Sequence, residues 1–333
     1  MVKKRICLIA TGGTIAGRET KHGLMPALTG NDLADEVPEL QELCDMDFVQ
    51  LLQLDSSNLV PEHWQRMAEA LAERYEAYDG FVISHGTDTM AYTSAALHYM
   101  LQNLAKPVII TGSQLPMGVA DSDAPGNLLL AVKGAVGSRA GVYLAFGGRL
   151  IQGNKAQKLY ARDFVGFGSI NVPDIAYLDG QTGKLLWQDC NFVGVKQNSV
   201  PLRLNTALDS SVAVIRLIPG TAPELIHLLA DNGYRGIILE AFGTGGIPTD
   251  ESPLSLLPAI DYAIARGVLV VCTTQCVYDG VHMDTYEVGR RAIEHGVLSG
   301  GDATTEALTV RLMLALGRGK TAETARKIFL AQE

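Results

Sequence analysis

Through most of the chain, short apolar runs alternate with segments whose apolar residues recur at helical spacing. "RICLIAT" at 5–11 is almost continuously apolar, the pattern of a strand buried on both faces. "DFVQLLQL" at 47–54 follows, and Pro61 then opens "PEHWQRMAEALAERY". Proline suits a first helical turn, and Trp64, Met67, Ala68 and Leu71 fall on one face behind it. Next come "GFVIS" (80–84), the helix-like "MAYTSAALHYML" (90–101), "KPVIITG" (106–112), "NLLLAVKGAV" (127–136) and "GVYLAF" (141–146). Strand and helix in repeated alternation predict an α/β fold, a mostly parallel sheet flanked by helices.

From about 150 to 210 this rhythm fades, and Gly, Asn, Gln and Pro gather. It resumes at 212 with "VAVIRLI", "APELIHLLADNG", "GIILEAF", "LSLLPAIDYAIARG" and "VLVVCTT". Two helical segments, "TEALTVRLMLALG" and "TAETARKIFLA", close the chain. Two domains are therefore expected: a larger N-terminal one over 1–190, a linker over 191–211, and a smaller Rossmann-like one over 212–333. A chain of 333 residues is long enough to build both cores.

A net charge of −9 turns the reading away from nucleic acid as the main partner. No stretch reaches the roughly 20 apolar residues of a membrane span. The opening "MVKKRICLIATGG" meets glycines before it attains the length of a secretion signal. The five cysteines, Cys7, Cys44, Cys190, Cys272 and Cys276, are odd in number and form no CxxC. Reduced thiols, no metal site and a cytoplasmic location are expected. Cys7 and Cys272 lie in strand-like runs, as buried thiols do.

Ligands of open α/β sheets collect beyond the carboxyl ends of the strands. Thr11-Gly12-Gly13-Thr14 follows the first predicted strand and Asp55-Ser56-Ser57-Asn58 the second. His85-Gly86-Thr87-Asp88-Thr89 follows the third and Gly112-Ser113-Gln114 the fourth. Hydroxyls and a carboxylate thus converge on one edge. Each also has a plainer reading: Thr14 and Asp88 as helix caps, Ser56 and Ser57 as loop residues, His85 as a structural histidine, Asp121 and Asp123 as loop or cap carboxylates. A dinucleotide loop is excluded, because Thr14 stands where its second glycine belongs, and no Gly-Lys-Ser/Thr follows this strand to make a P-loop.

The adjacent glycines instead permit a tight turn that presents Thr14 at the open end of the sheet. A threonine hydroxyl needs a base or proton relay, and an unperturbed aspartate, with a pKa of about 3.9, is a poor base. A lysine held by that carboxylate would serve, and Lys155 and Lys158 in "QGNKAQKLY" are placed to reach this edge.

These residues carry a family resemblance. "ATGGTIAG" (10–17) and "GFVISHGTDTMAYTSAAL" (80–97) resemble the two signature blocks of the L-asparaginase/glutaminase amidohydrolase family, nearest its cytoplasmic type I branch. "LDSSNLVPEHW" (54–64), "PVIITGSQLP" (107–116), "RLIQGNKAQK" (149–158) and "LIPGTAPELI" (217–226) extend the likeness. "GYRGIILEAFGTGGIP" (233–248), "TTQCVYDGVHM" (273–283) and "GDATTEA" (301–307) carry it over nearly the whole chain in order.

The resemblance implies that Thr14 attacks the side-chain amide carbon of asparagine, giving a β-aspartyl ester and ammonia. It implies a proton-relaying group of Thr87, Asp88 and Lys158. Ser56, Ser57 and Asp88, with Asp55 and Thr87 beside them, would hold the α-carboxylate and α-amino groups. It implies no metal or organic cofactor, and sites at the interfaces of a homodimer or homotetramer. One departure is Leu24, in "ETKHGLMPAL", where the family carries a tyrosine bonded to the nucleophile; no tyrosine precedes residue 75, so reduced activity is expected. Another is Gln157, replacing a threonine of the allosteric site found in some type I members, so no allostery is expected although Cys276 matches that site.

Two other readings stand beside this one. An ammonia-releasing amidotransferase subunit for tRNA charging would usually carry an extra N-terminal segment, whereas this chain enters its first strand by residue 5. A non-catalytic amino-acid sensor would keep Ser57 and Asp88 without turnover. Asparagine and glutamine differ by one methylene, worth only about 1–3 kcal/mol in a pocket, so acceptance of both is compatible with these residues.

Overall fold

Ile6 to Ala10 are almost wholly shut off from water: the strand that carries them, β1 (Lys4–Gly12), has a parallel neighbour along each edge, and Ile6, Leu8 and Ala10 enter a packed core on one face. The computed structural model describes residues 2–21, 23–137, 139–188 and 200–331, and of Thr20 and Leu24 the backbone alone. The chain divides into two compact units, Met1–Thr206 and Ala207–Glu333.

In the first unit β1 is joined by β2 (Cys44–Leu54), β3 (Gly80–Ser84), β4 (Pro107–Thr111), β5 (Gly141–Phe146), β6 (Arg149–Gln152), β7 (Ala176–Leu178) and β8 (Leu185–Trp187). They form one eight-stranded sheet in the order β8-β7-β6-β5-β4-β3-β1-β2. The strands β1 to β5 run parallel, and β6, β7 and β8 continue the sheet antiparallel. Helix α3 (Ala124–Val136) lays Leu128, Ala131, Val132 and Ala135 on Ile6, Leu8, Val82, Ile109 and Tyr143. Each large apolar side chain buried here contributes about 1.5–3 kcal/mol relative to exposure. Helices α1 (Pro61–Glu73) and α2 (Met90–Met100) pack on each other, and α2 lies against β4 and β5.

Strand order reverses between β1 and β3: the chain leaves β1 for the edge position β2, then crosses to the other side for β3, β4 and β5. In an open sheet such a reversal opens a crevice at the carboxyl ends. The stretch that had lost its rhythm supplies β6 to β8, and also a separate hairpin in which Ala156–Lys158 pairs with Phe167–Ser169. A second hairpin, Gly17–Thr20 with Gly23–Pro26, follows the end of β1 and pairs Glu19 with Leu24. Leu24 thus has a placed backbone, while its side chain is outside the described set.

Part of the expected linker is ordered differently from that expectation. Residues 191–199 lie outside the described residues, as does Cys190, but Arg203–Leu204 form a strand antiparallel to Leu101–Gln102. Asn205 N–H also donates to Met100 O at 2.8 Å. The end of α2 leaves backbone groups that need partners, and residues 203–205 supply them.

The second unit is a four-stranded parallel sheet, β9 (Val212–Arg216), β10 (Gly236–Ala241), β11 (Leu269–Thr274) and β12 (Leu298–Ser299), in that order. Alternation along β10 sends Ile237, Leu239 and Ala241 to one core, with Ile226, Ala259 and Ile260. Ile238 faces the other, where Leu308, Leu312, Ala315 and Phe329 pack. The chain's Gly319-Lys320-Thr321 sits between the last two helices, Thr305–Arg318 and Ala322–Leu330, where Thr321 caps the second; it follows no strand and makes no P-loop. Among the described residues no helix is long and apolar enough to cross a membrane.

Candidate active site

The first strand ends in a bend that requires glycine. Gly12 and Gly13 hold φ at +106° and +79°, where a side chain is strained. A Cβ on Gly12 would lie 2.5 Å from Leu54 O, and one on Gly13 would lie 2.3 Å from Gly86 N. Gly86 is in turn pressed on the next loop, where a Cβ would meet Ser56 Oγ at 2.5 Å. Missing side chains therefore let the loops after β1, β2 and β3 interlock. Thr14 follows Gly13 and Thr87 follows Gly86, so each stands one Cα step of about 3.8 Å beyond the same contact. Thr14 is half-buried at the start of a short 3₁₀ turn, Thr14–Ala16, while Ser56 and Thr87 are buried.

Lys158 forms the electrostatic centre. Its Nζ donates to Thr87 Oγ1 at 2.8 Å and to Asp88 Oδ1 at 2.6 Å. The lysine side chain is 20% exposed and the aspartate 60%, so the carboxylate stays open to solvent while the ammonium is largely covered. Ser57 Oγ donates to the other oxygen, Asp88 Oδ2, across a long 3.5 Å. Thr87 Oγ1 accepts from Lys158, which leaves its own proton to donate elsewhere. Of the two lysines the sequence offered, Lys158 is the one on Asp88. The charge of Lys155 instead acts on His98, whose pKa is pushed down to about 4, mainly by burial and then by that charge.

Asp55 is exposed, and its Oδ1 accepts Ser57 N–H at 2.8 Å. That carboxylate shapes the short turn Ser56–Asn58 which presents the two serines. Thr89 Oγ1 donates to Ser56 O at 2.9 Å and ties the loops after β2 and β3. Asp123 has a comparable role after β4, accepting Gln114 N–H, Leu115 N–H and Asn127 Nδ2–H, each at 3.0 Å. Asp121 is a turn residue with φ +57°.

His85 is fully buried, with Nδ1 2.7 Å from Gly86 O and Nε2 2.8 Å from Thr93 Oγ1. Burial pushes its pKa down to about 4, and it faces protein rather than the crevice. Sequence reasoning missed its partners, Thr93 and, through Thr93, Trp64, whose Nε1 donates to Thr93 Oγ1 at 3.1 Å. Both read as ordinary members of helical faces; a threonine inside the otherwise apolar "MAYTSAAL" was the available signal. Among the described residues no three His, Cys, Asp or Glu side chains are grouped to hold a metal.

The likeness to known proteins covers both units. The model of the asparaginase N-terminal family matches residues 5–190, and that of the glutaminase/asparaginase C-terminal domain matches residues 211–329. An L-asparaginase of Thermococcus kodakarensis is 40% identical over 97% of this chain and 96% of its own length. The structure of the thermostable L-asparaginase from that organism superposes with a TM-score of 0.90 at 39% identity, covering 98% of this chain and 96% of that one. L-asparaginase I of Vibrio cholerae gives 0.85 at 32% identity, covering 98% and 97%. A component of the glutamyl-tRNA(Gln) amidotransferase of Pyrococcus abyssi is 34% identical over 98% of this chain but 75% of its own. With the threonine, aspartate and lysine gathered on one sheet edge, and both domain models matched, the chain belongs to the asparaginase family.

Proposed function

We propose that the protein hydrolyses L-asparagine to L-aspartate and ammonia, with Thr14 as the nucleophile. In this reading Thr14 Oγ attacks the side-chain amide carbon, and its proton passes through the Thr87–Lys158–Asp88 group to the departing nitrogen, which leaves as ammonia. Water then adds to the β-aspartyl ester, the ester C–O bond breaks, and Thr14 recovers its proton. Asp88, open on one side, suits the α-ammonium of the substrate, and the hydroxyls of Ser56 and Ser57 suit its α-carboxylate. Thr87 N–H has no acceptor among the described residues, and a backbone donor of that kind stabilises an oxyanion. A cytoplasmic homodimer or homotetramer belongs to the same reading.

The observation that carries it is Lys158 Nζ bridging Thr87 Oγ1 and Asp88 Oδ1 beside the Gly13–Gly86 contact. Ammonia release from L-asparagine tests it: Thr14→Ala and Thr87→Val are each expected to lose about a hundredfold or more in rate. Retention of wild-type rate by either variant would remove that residue from the chemistry. The relatives among glutamyl-tRNA(Gln) amidotransferase components favour a second reading, release of ammonia to a partner enzyme. Free ammonia from the isolated chain at full rate decides for the hydrolase, and dependence on an added partner decides against it.

A further inference from the structure

The structure assigns His85 and Thr93 as positioning residues that fix the peptide between Gly86 and Thr87, an inference that rests on the hydrolase reading of the site. Its basis is a hydrogen-bond chain whose direction is set by the carbonyl at one end and a neutral imidazole in the middle. An indole N–H can only donate and a carbonyl can only accept. Trp64 Nε1 therefore donates to Thr93 Oγ1 at 3.1 Å; because Gly86 O requires a proton on Nδ1, a neutral ring leaves Nε2 to accept from Thr93 Oγ1 at 2.8 Å. His85 Nδ1 then donates to Gly86 O at 2.7 Å. All three side chains are buried, so water cannot replace a lost partner.

The chain links three elements. Trp64 is on α1, Thr93 on α2, and His85 begins the loop after β3. Its end point is the carbonyl of Gly86, the residue against which Gly13 is pressed. In a trans peptide the following N–H points opposite to the carbonyl. Holding Gly86 O toward His85 therefore holds Thr87 N–H away from it. The opposite tautomer of His85 would set Nδ1 and Gly86 O lone pair against lone pair and release this peptide. A neutral ring is part of the device, and burial keeps it neutral by pushing the pKa to about 4.

Side chains that keep or lose single atoms of the chain test this on the full-length protein. His85→Asn leaves a donor where Nδ1 was, whereas His85→Gln places its amide where Nε2 was. Thr93→Ser keeps the hydroxyl and Thr93→Val removes it at similar volume. For L-asparagine, H85N and T93S are expected to hold kcat within about threefold of wild type. H85Q and T93V are expected to lose roughly tenfold or more in kcat, with KM moved by less than about threefold. If melting temperatures fall while kcat per folded enzyme is equal across each pair, the residues are merely structural and the assignment is wrong. Imidazole ¹⁵N shifts of the wild type give an independent reading, with the proton expected on Nδ1; a proton on Nε2 overturns the assignment. A wild type that releases no ammonia would defeat the hydrolase reading, and the ¹⁵N shifts would still decide the tautomer.

Discussion

Cys7, Cys44 and Cys272 are buried, and loss of water pushes their thiols up to about 11, 11 and 12. The thiolate is the reactive form, so these three are protected twice, by access and by charge. Cys276 is exposed. Brief treatment of the native protein with iodoacetamide is expected to alkylate Cys276 and spare the other three, read by peptide mass mapping; equal labelling of Cys7 or Cys272 would contradict the packing. Individual hydroxyls were harder to read from the sequence. Thr14 and Ser56 look like caps or loop residues alone, and only their placement after successive strands marked them. Lys155 and Lys158 could not be told apart, because both lie just beyond the same strand. The pairing of His85 with Thr93 and of Thr93 with Trp64 spans 8 and 29 residues and leaves no local pattern.

The bend after β1 is the element on which the site depends. Gly13→Ala would force a Cβ to within 2.3 Å of Gly86 N at a φ of +79°. Positive-φ strain of this kind costs about 1–3 kcal/mol, and displacement of Thr14 by about an ångström is expected to cost roughly a hundredfold in kcat/KM. Unfolding midpoint and turnover check the two effects, and near-wild-type turnover would contradict the interlocked loops. The elements most legible in the sequence were β1, β3, β4 and β5, whose buried runs are long enough to show a pattern. Strands β6, β7 and β8 have only three or four residues each, too few for periodicity to appear. Their antiparallel pairing depends on long-range partners that composition does not reveal. Residues 203–204 were hidden for the same reason, since a two-residue strand is visible only through the partner it pairs with.

Over the full chain, the two matched domains and the net charge of −9 were both legible. The folded state also carries a pH signature. His85 has a folded pKa of about 4 against an unfolded value of about 6.5. As pH falls below about 6.5 the unfolded chain takes up the proton first, so stability declines between about pH 6.5 and 4, by up to roughly 3 kcal/mol for this residue. Urea unfolding at pH 7 and 5 is expected to show that loss in the wild type and a smaller loss in His85→Asn; equal losses would contradict the burial of a neutral imidazole. Whether Thr14 carries the acyl group is decided by acid-quenching the enzyme during turnover of L-asparagine and mapping the tryptic peptide of residues 6–18. A mass gain equal to asparagine minus ammonia is expected on Thr14, absent in Thr14→Ala. An adduct on Thr87 instead, or full turnover by Thr14→Ala, would contradict a threonine nucleophile at the glycine bend.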